Sequence, residues 1–164
     1  IGGLTGWPIL VVGAERDEAE ARPILDALPQ ARPLIGLTSV PELAAVIGGA
    51  RLLLGTDSAP MHIADAFGVP QVIAFAGTDL ASQWAPRRSP ARLLTRPTDC
   101  APCGLFSCPY AHQCLDLQPA DLVAAAAEVL GLDPDAYQRA DRQATQRRLA
   151  PGRRGADATR PVAA

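Results

Sequence analysis

Apolar residues along this chain fall into short unbroken runs, separated by longer stretches in which they recur at every third or fourth position. Residues 7–12, "WPILVV", form a β-branched run closed by Gly13 and predict a strand; "ERDEAEARPILDAL" follows with an acidic first turn and predicts a helix. Residues 34–37 are a second apolar run. Ser39 then reads as an N-cap, with Pro41 and Glu42 in the first turn of a helix that Gly48 and Gly49 end. Residues 51–54 predict a third strand and residues 57–67 a third helix, stopped by Gly68 with Pro70 beyond. "QVIAFAG" and "ARLLT" predict a fourth and a fifth strand, and a further helix begins near Pro119. Within the third helix, Met61, Ile63, Ala64 and Phe67 share the apolar stripe and are expected in the core.

Continuous apolar strands between amphipathic helices require a sheet covered on both faces, so the pattern predicts an α/β fold with a doubly wound, Rossmann-like parallel sheet. The expected organisation is one domain over residues 1–132, with a cysteine-bearing loop at 99–116. A more polar helical extension is expected over 133–150. The final stretch, 151–164, has Pro, Gly, Arg and Ala without apolar periodicity and is expected to be a disordered tail.

Composition narrows the function classes. At 164 residues and 48% hydrophobic, the chain can bury one real core without disulfides. The formal net charge is -2 and the arginines are dispersed until the C-terminus, so no continuous basic face announces a nucleic-acid partner. No apolar run is long enough to cross a bilayer, and the N-terminus lacks the basic start and cleavage site of a signal peptide; a soluble, cytoplasmic protein is expected, with at most peripheral membrane contact. There is no lysine, which removes Schiff-base chemistry, and no asparagine, which removes glycosylation sequons. The chain opens on Ile1 without a methionine, as a piece of a longer protein would.

The stretch "RLLLGTDSAPMHIADAFGVP" carries the candidate chemistry. In an open parallel sheet, ligands bind outside the carboxyl ends of the strands, and residues 55–61 fall at such an end. Asp57 or Ser58 can cap the helix, and Pro60 removes a donor that the helix could not have paired. The remaining free N–H groups, with the positive end of the helix dipole, form a cradle suited to phosphate oxygens. His62 lies four residues after Ser58 on the same face, so its imidazole is expected beside that cradle; a capped helix with a half-buried histidine is the equal alternative from these residues alone.

The run "LLLGTDSAPMHIADAFGVPQVIAFAGTDLASQWAP" resembles the donor-binding half of family 9 glycosyltransferases, the lipopolysaccharide heptosyltransferases. The resemblance rests on Asp57, Ser58, His62, Ala64, Gly68, Pro70, Gly77, Thr78, Asp79, Trp84 and Pro86, and continues into "CAPCGLFSCPYAHQC". It implies the C-terminal half of a GT-B enzyme that transfers a heptose or similar sugar, with inversion, from a nucleotide-diphospho-sugar to a lipopolysaccharide or related glycan acceptor. ADP-heptose is the favoured donor, and no cofactor is required for catalysis. By the same resemblance Asp57, Ser58 and Ala59 would contact diphosphate and sugar with His62 supporting them. Glu15 would hold the ribose hydroxyls. Thr78 and Asp79 would face the same cleft, although a turn and N-cap is the favoured account of them. The family has Gly where this chain has Ala59, and Gly-Pro-Thr-Asp where it has Ala76-Gly77-Thr78-Asp79. The catalytic base would belong to a separate N-terminal domain, leaving no catalytic residue in this chain. A non-catalytic nucleotide-binding module with the cysteine loop as an interaction site is one alternative; another GT-B enzyme, such as a nucleotide-sugar epimerase, is a second.

Cys100, Cys103, Cys108 and Cys114 fall in one loop as C-x2-C-x4-C-x5-C. Four thiols at these spacings could close a structural zinc site, with His112 as a substitute ligand; free or redox-sensitive thiols are the alternative in a reducing compartment. Trp84 is expected to pack the loop after the fourth strand or to flank the donor's adenine or sugar. Arg87 and Arg88 are expected as a solvated pair or as diphosphate contacts at the same cleft.

Overall fold

A computed structural model describes residues 5–133; the expected helix from Pro134 and tail at 151–164 lie outside the described residues. The strands are β1 (Leu10–Gly13), β2 (Arg32–Ile35), β3 (Leu53–Thr56), β4 (Gln71–Ala74) and β5 (Ala91–Leu94). Between and after them come α1 (Glu18–Ala27), α2 (Val40–Gly48), α3 (Ala59–Phe67), a single-turn α4 (Ala81–Trp84) and α5 (Pro119–Val129). A 3-10 turn, Glu15–Asp17, precedes α1. All five predicted strands are present. Their bounds shift by up to three residues because a parallel ladder ends where its partner's hydrogen bonds end, and apolar residues continue past that point.

The strands pair in parallel as two ladders, β1 with β2 and β3-β4-β5. Among the described residues no strand pairing joins the two ladders. Alternation along β4 divides the core. Ile73 is fully buried with Ile47, Met61, Ala64, Val69 and Phe75 on the side of α2 and α3. Its neighbour Val72 is buried with Ala125 and Ala126 of α5 on the other. Successive residues of a strand point to opposite faces, so this central strand is covered twice. Double coverage does not extend to every strand: Leu10 of β1 and Leu54 of β3 are nearly half exposed.

Two caps behave as the sequence suggests. Glu42 accepts from the Ser39 backbone N–H at 2.8 Å and from its hydroxyl at 2.6 Å, fixing the start of α2. Gly68 ends α3 in the left-handed conformation with φ of 70°, which a residue with a Cβ adopts only at a cost. Met61 and Ala64 are buried as expected, and Ile63 packs partly against the same cluster. Phe67 is a correction: it is 58% exposed, because it lies in the last turn of α3 beyond the sheet and its ring covers Gly48 of α2.

Candidate functional site

β3 runs into α3 through Asp57 and Ser58, at the carboxyl end of the sheet. Ser58 is the N-cap residue, with extended backbone (φ -145°, ψ 177°) that also suits the position shortly before Pro60. Its hydroxyl does not cap. It donates back to the Thr56 carbonyl at 3.3 Å and accepts from the Thr56 hydroxyl at 3.4 Å. Asp57 does not cap either: its Oδ1 accepts from the Ala76 N–H at 3.4 Å, tying the end of β3 to the chain leaving β4. Met61 N–H donates to the Ser58 carbonyl at 2.9 Å, and Pro60 has no N–H to place. The amides of Ser58 and Ala59 therefore meet no acceptor among the described residues, and both residues are exposed. Two free donors at the positive end of a nine-residue helix make a site for an anion's oxygens.

His62 is exposed, and its ring stands 5.9 Å from that of Trp84, tilted by 60°. Between them the two side chains join the start of α3 to the end of α4, a contact with no signal in either local sequence. Glu15 is exposed in the turn after β1; Gly36, with φ of +67° at the end of β2, leaves no room for a Cβ against the Glu15 backbone. Glu15 and the Ser58–Ala59 amides thus follow the carboxyl ends of β1 and β3, one in each ladder. Gly55 lies inside β3 with open space around it, and the chain turns after the strand, at Asp57 and Ser58.

The cysteine loop is docked onto the chain that follows β4. Cys103 N–H donates to the Gly77 carbonyl at 2.9 Å and Gly104 N–H to the Thr78 carbonyl at 3.0 Å. A Cβ on Gly77 would stand 3.0 Å from that of Ala101 and 3.4 Å from that of Cys114. The 99–116 loop therefore fixes Gly77 and Thr78, and the glycine is what lets it approach. Gly77→Ala is expected to lower stability by about 1–2 kcal/mol through overpacking, read as a lower urea midpoint.

The four thiols are free and partly buried, and no three His, Cys, Asp or Glu side chains among the described residues gather as a metal ion requires. Cys108 Sγ instead accepts from the N–H groups of Tyr110 and His112, each at 3.4 Å. This arrangement does not fit the tetrahedral zinc site that the spacing allows.

Asp65 is the residue that sequence reasoning missed. Its carboxylate accepts from the backbone of Arg87 at 3.1 Å, Arg88 at 2.8 Å and Ser89 at 2.8 Å, and from the Ser89 hydroxyl at 3.1 Å. Burial raises its pKa, but the bonds from Ser89, Arg87 and Arg88 outweigh that and hold it down at about 2. Ser89 also accepts from the buried Gln71 side chain at 2.6 Å, at the amino end of β4. The segment 84–89 thus runs along α3 from His62 towards the amino ends of the strands. That direction carries the backbone of Arg87 and Arg88 away from the Ser58–Ala59 amides, and both residues are exposed, as the solvated-pair reading expects. One signal was available: Ser58, His62 and Asp65 form a polar stripe at helical spacing.

The glycosyltransferase family 9 (heptosyltransferase) model matches residues 4–113. This chain belongs to glycosyltransferase family 9. Lipopolysaccharide heptosyltransferase 3 of Escherichia coli is 45% identical over 51 residues, covering 31% of this chain and 15% of that protein. The solved glycosyl transferase family 9 structure from Veillonella parvula superposes with a TM-score of 0.64 at 20% identity, over 76% of this chain and 37% of that one. The E. coli ADP-heptose lps heptosyltransferase II structure does so with a TM-score of 0.60 at 23% identity, over 76% and 36%. The chain thus spans little more than a third of either solved relative, and the shared α/β fold is the Rossmann-like one that the hydrophobic pattern predicts. Among the described residues no helix is long and apolar enough to cross a membrane.

Proposed function

We propose that this family 9 chain is the donor-binding part of an inverting glycosyltransferase that moves a heptose from ADP-heptose to a lipopolysaccharide or related glycan acceptor. The observation that carries this reading is the pair of unpartnered, exposed amides at Ser58 and Ala59, set at the carboxyl end of β3 in a chain of this family. A nucleotide-sugar's diphosphate would rest on those amides, with Asp57 and His62 beside it and Glu15 placed to accept from the ribose hydroxyls. When the bond to the anomeric carbon breaks, negative charge grows on the departing diphosphate, and preoriented amide dipoles stabilise that charge without reorganising. Thr78, held by the cysteine loop, and Asp79 beside it would form the adjoining wall. The base that deprotonates the acceptor hydroxyl is assigned to no residue of this chain.

Calorimetric titration of the chain with ADP-heptose, ADP and UDP-glucose tests this. Binding of ADP-heptose and ADP, with UDP-glucose weaker and no sugar transfer by the chain alone, is expected. A folded sample that gives no heat with any of the three would overturn the reading.

A further inference from the structure

We infer that Trp84 is the sugar-facing wall of this site, its indole ring receiving the apolar face of the donor's pyranose while the diphosphate lies on the Ser58 and Ala59 amides. The inference rests on the donor-binding reading above and adds which ring of the ligand lies on which side. His62 stands one turn into α3, about 6 Å along the axis from Ser58, and Trp84 is seated against it at 5.9 Å. A pyranose linked directly to a phosphate held at the helix start falls within that span. The indole is 49% exposed, so it keeps open surface for a ligand after packing on the imidazole.

The sheet decides the side. β3 pairs with β4 along one edge, and the β1–β2 ladder, which Glu15 follows, meets the β3 side through Trp7, whose ring lies under the Arg51 guanidinium just before β3. A ribose held by Glu15 sends the nucleoside towards that ladder. The other end of the diphosphate then points over β4, whose following chain carries Thr78, Asp79 and Trp84. The platform is also built to stay in place: α4 is only four residues long, but the segment after it is pinned to α3 by the Asp65 carboxylate through three consecutive backbone N–H groups. Asp65 is in this sense a positioning residue for the indole.

The test compares ADP-heptose with ADP, because ADP reports on the phosphate and nucleoside contacts without the sugar. Trp84→Ala is expected to weaken ADP-heptose about tenfold and ADP less than twofold, with Trp84→Phe restoring most of the loss. Trp7 packs against the Arg51 guanidinium at 5.2 Å and contributes its own fluorescence, so a Trp7→Phe background isolates the Trp84 signal. In that background the emission should shift with ADP-heptose and not with ADP. Equal losses for both ligands, or no loss for either, would overturn the sugar-facing role while leaving the phosphate site intact. If the unsubstituted chain binds ADP but gains nothing from the heptose, the inference falls alone; if it binds neither, the donor-binding reading falls with it.

Discussion

Ala59→Pro is expected to weaken binding of ADP-heptose and of ADP alike by about 10- to 100-fold, while leaving the fold unchanged. The substitution removes one atom group that matters, the Ala59 N–H. Proline is well tolerated in the first turn of a helix, where its missing donor has no partner inside the helix, and Ser58 already has the extended backbone that precedes a proline comfortably. A hydrogen bond to a charged group contributes about 1.5–3 kcal/mol, which converts to roughly that loss in affinity. The control is Ala59→Gly, which keeps the N–H and should retain binding. Calorimetry reads the affinities and circular dichroism the fold. Unchanged affinity in a folded Ala59→Pro protein would show that no phosphate rests on this amide.

Asp65→Ala is expected to cost about 2–3 kcal/mol of stability, near 8 °C in melting temperature for a chain of this size. The loss is that of one carboxylate serving three backbone donors and a hydroxyl, which are left with water in place of a charged acceptor. The dependence on pH gives an independent reading. Asp65 is held at about 2 in the folded chain, below the 3.8 usual for the group, so its contribution is fully present well above 3.8 and is lost as the pH falls through about 2. Asp65→Asn removes that titration. The gap between the urea midpoints of the wild-type and Asp65→Asn proteins should therefore be widest near pH 6 and narrow steadily from pH 4 towards pH 2, with a pH-dependent part of no more than about 2 kcal/mol. A gap of constant size over that range would mean that the carboxylate is not held as described. Because Asp65 fixes the segment bearing Trp84, its variants should also lose part of the affinity that the sugar adds to ADP.

The hydrophobic pattern was enough for the order of strands and helices, the parallel α/β class and the presence of a bend between the third strand and the third helix, since each rests on residues adjacent in the chain or one helical turn apart. The Ser39–Glu42 cap and the left-handed stop at Gly68 were legible for the same reason. The composition of the bend also announced free amides, because Pro60 and a helix start are local features. Which oxygen caps them was not legible. Ser58 Oγ turns to Thr56, and Asp57 reaches 19 residues on to Ala76, and that choice depends on β4 lying beside β3.

What the sequence determined by itself, then, is the alternation of elements and the chemistry available at each strand end, because propensity, capping and apolar periodicity act over a few residues. Only the tertiary structure decided that Asp65 grips the backbone 22 to 24 residues away, that His62 meets Trp84, that the cysteine loop is seated on Gly77 and Thr78, and that Phe67 stands outside the core. Each of these is a meeting of segments whose separation is set by how the parallel strands pair, and a parallel ladder is formed by backbone groups that every residue carries, so no side-chain pattern records it in advance.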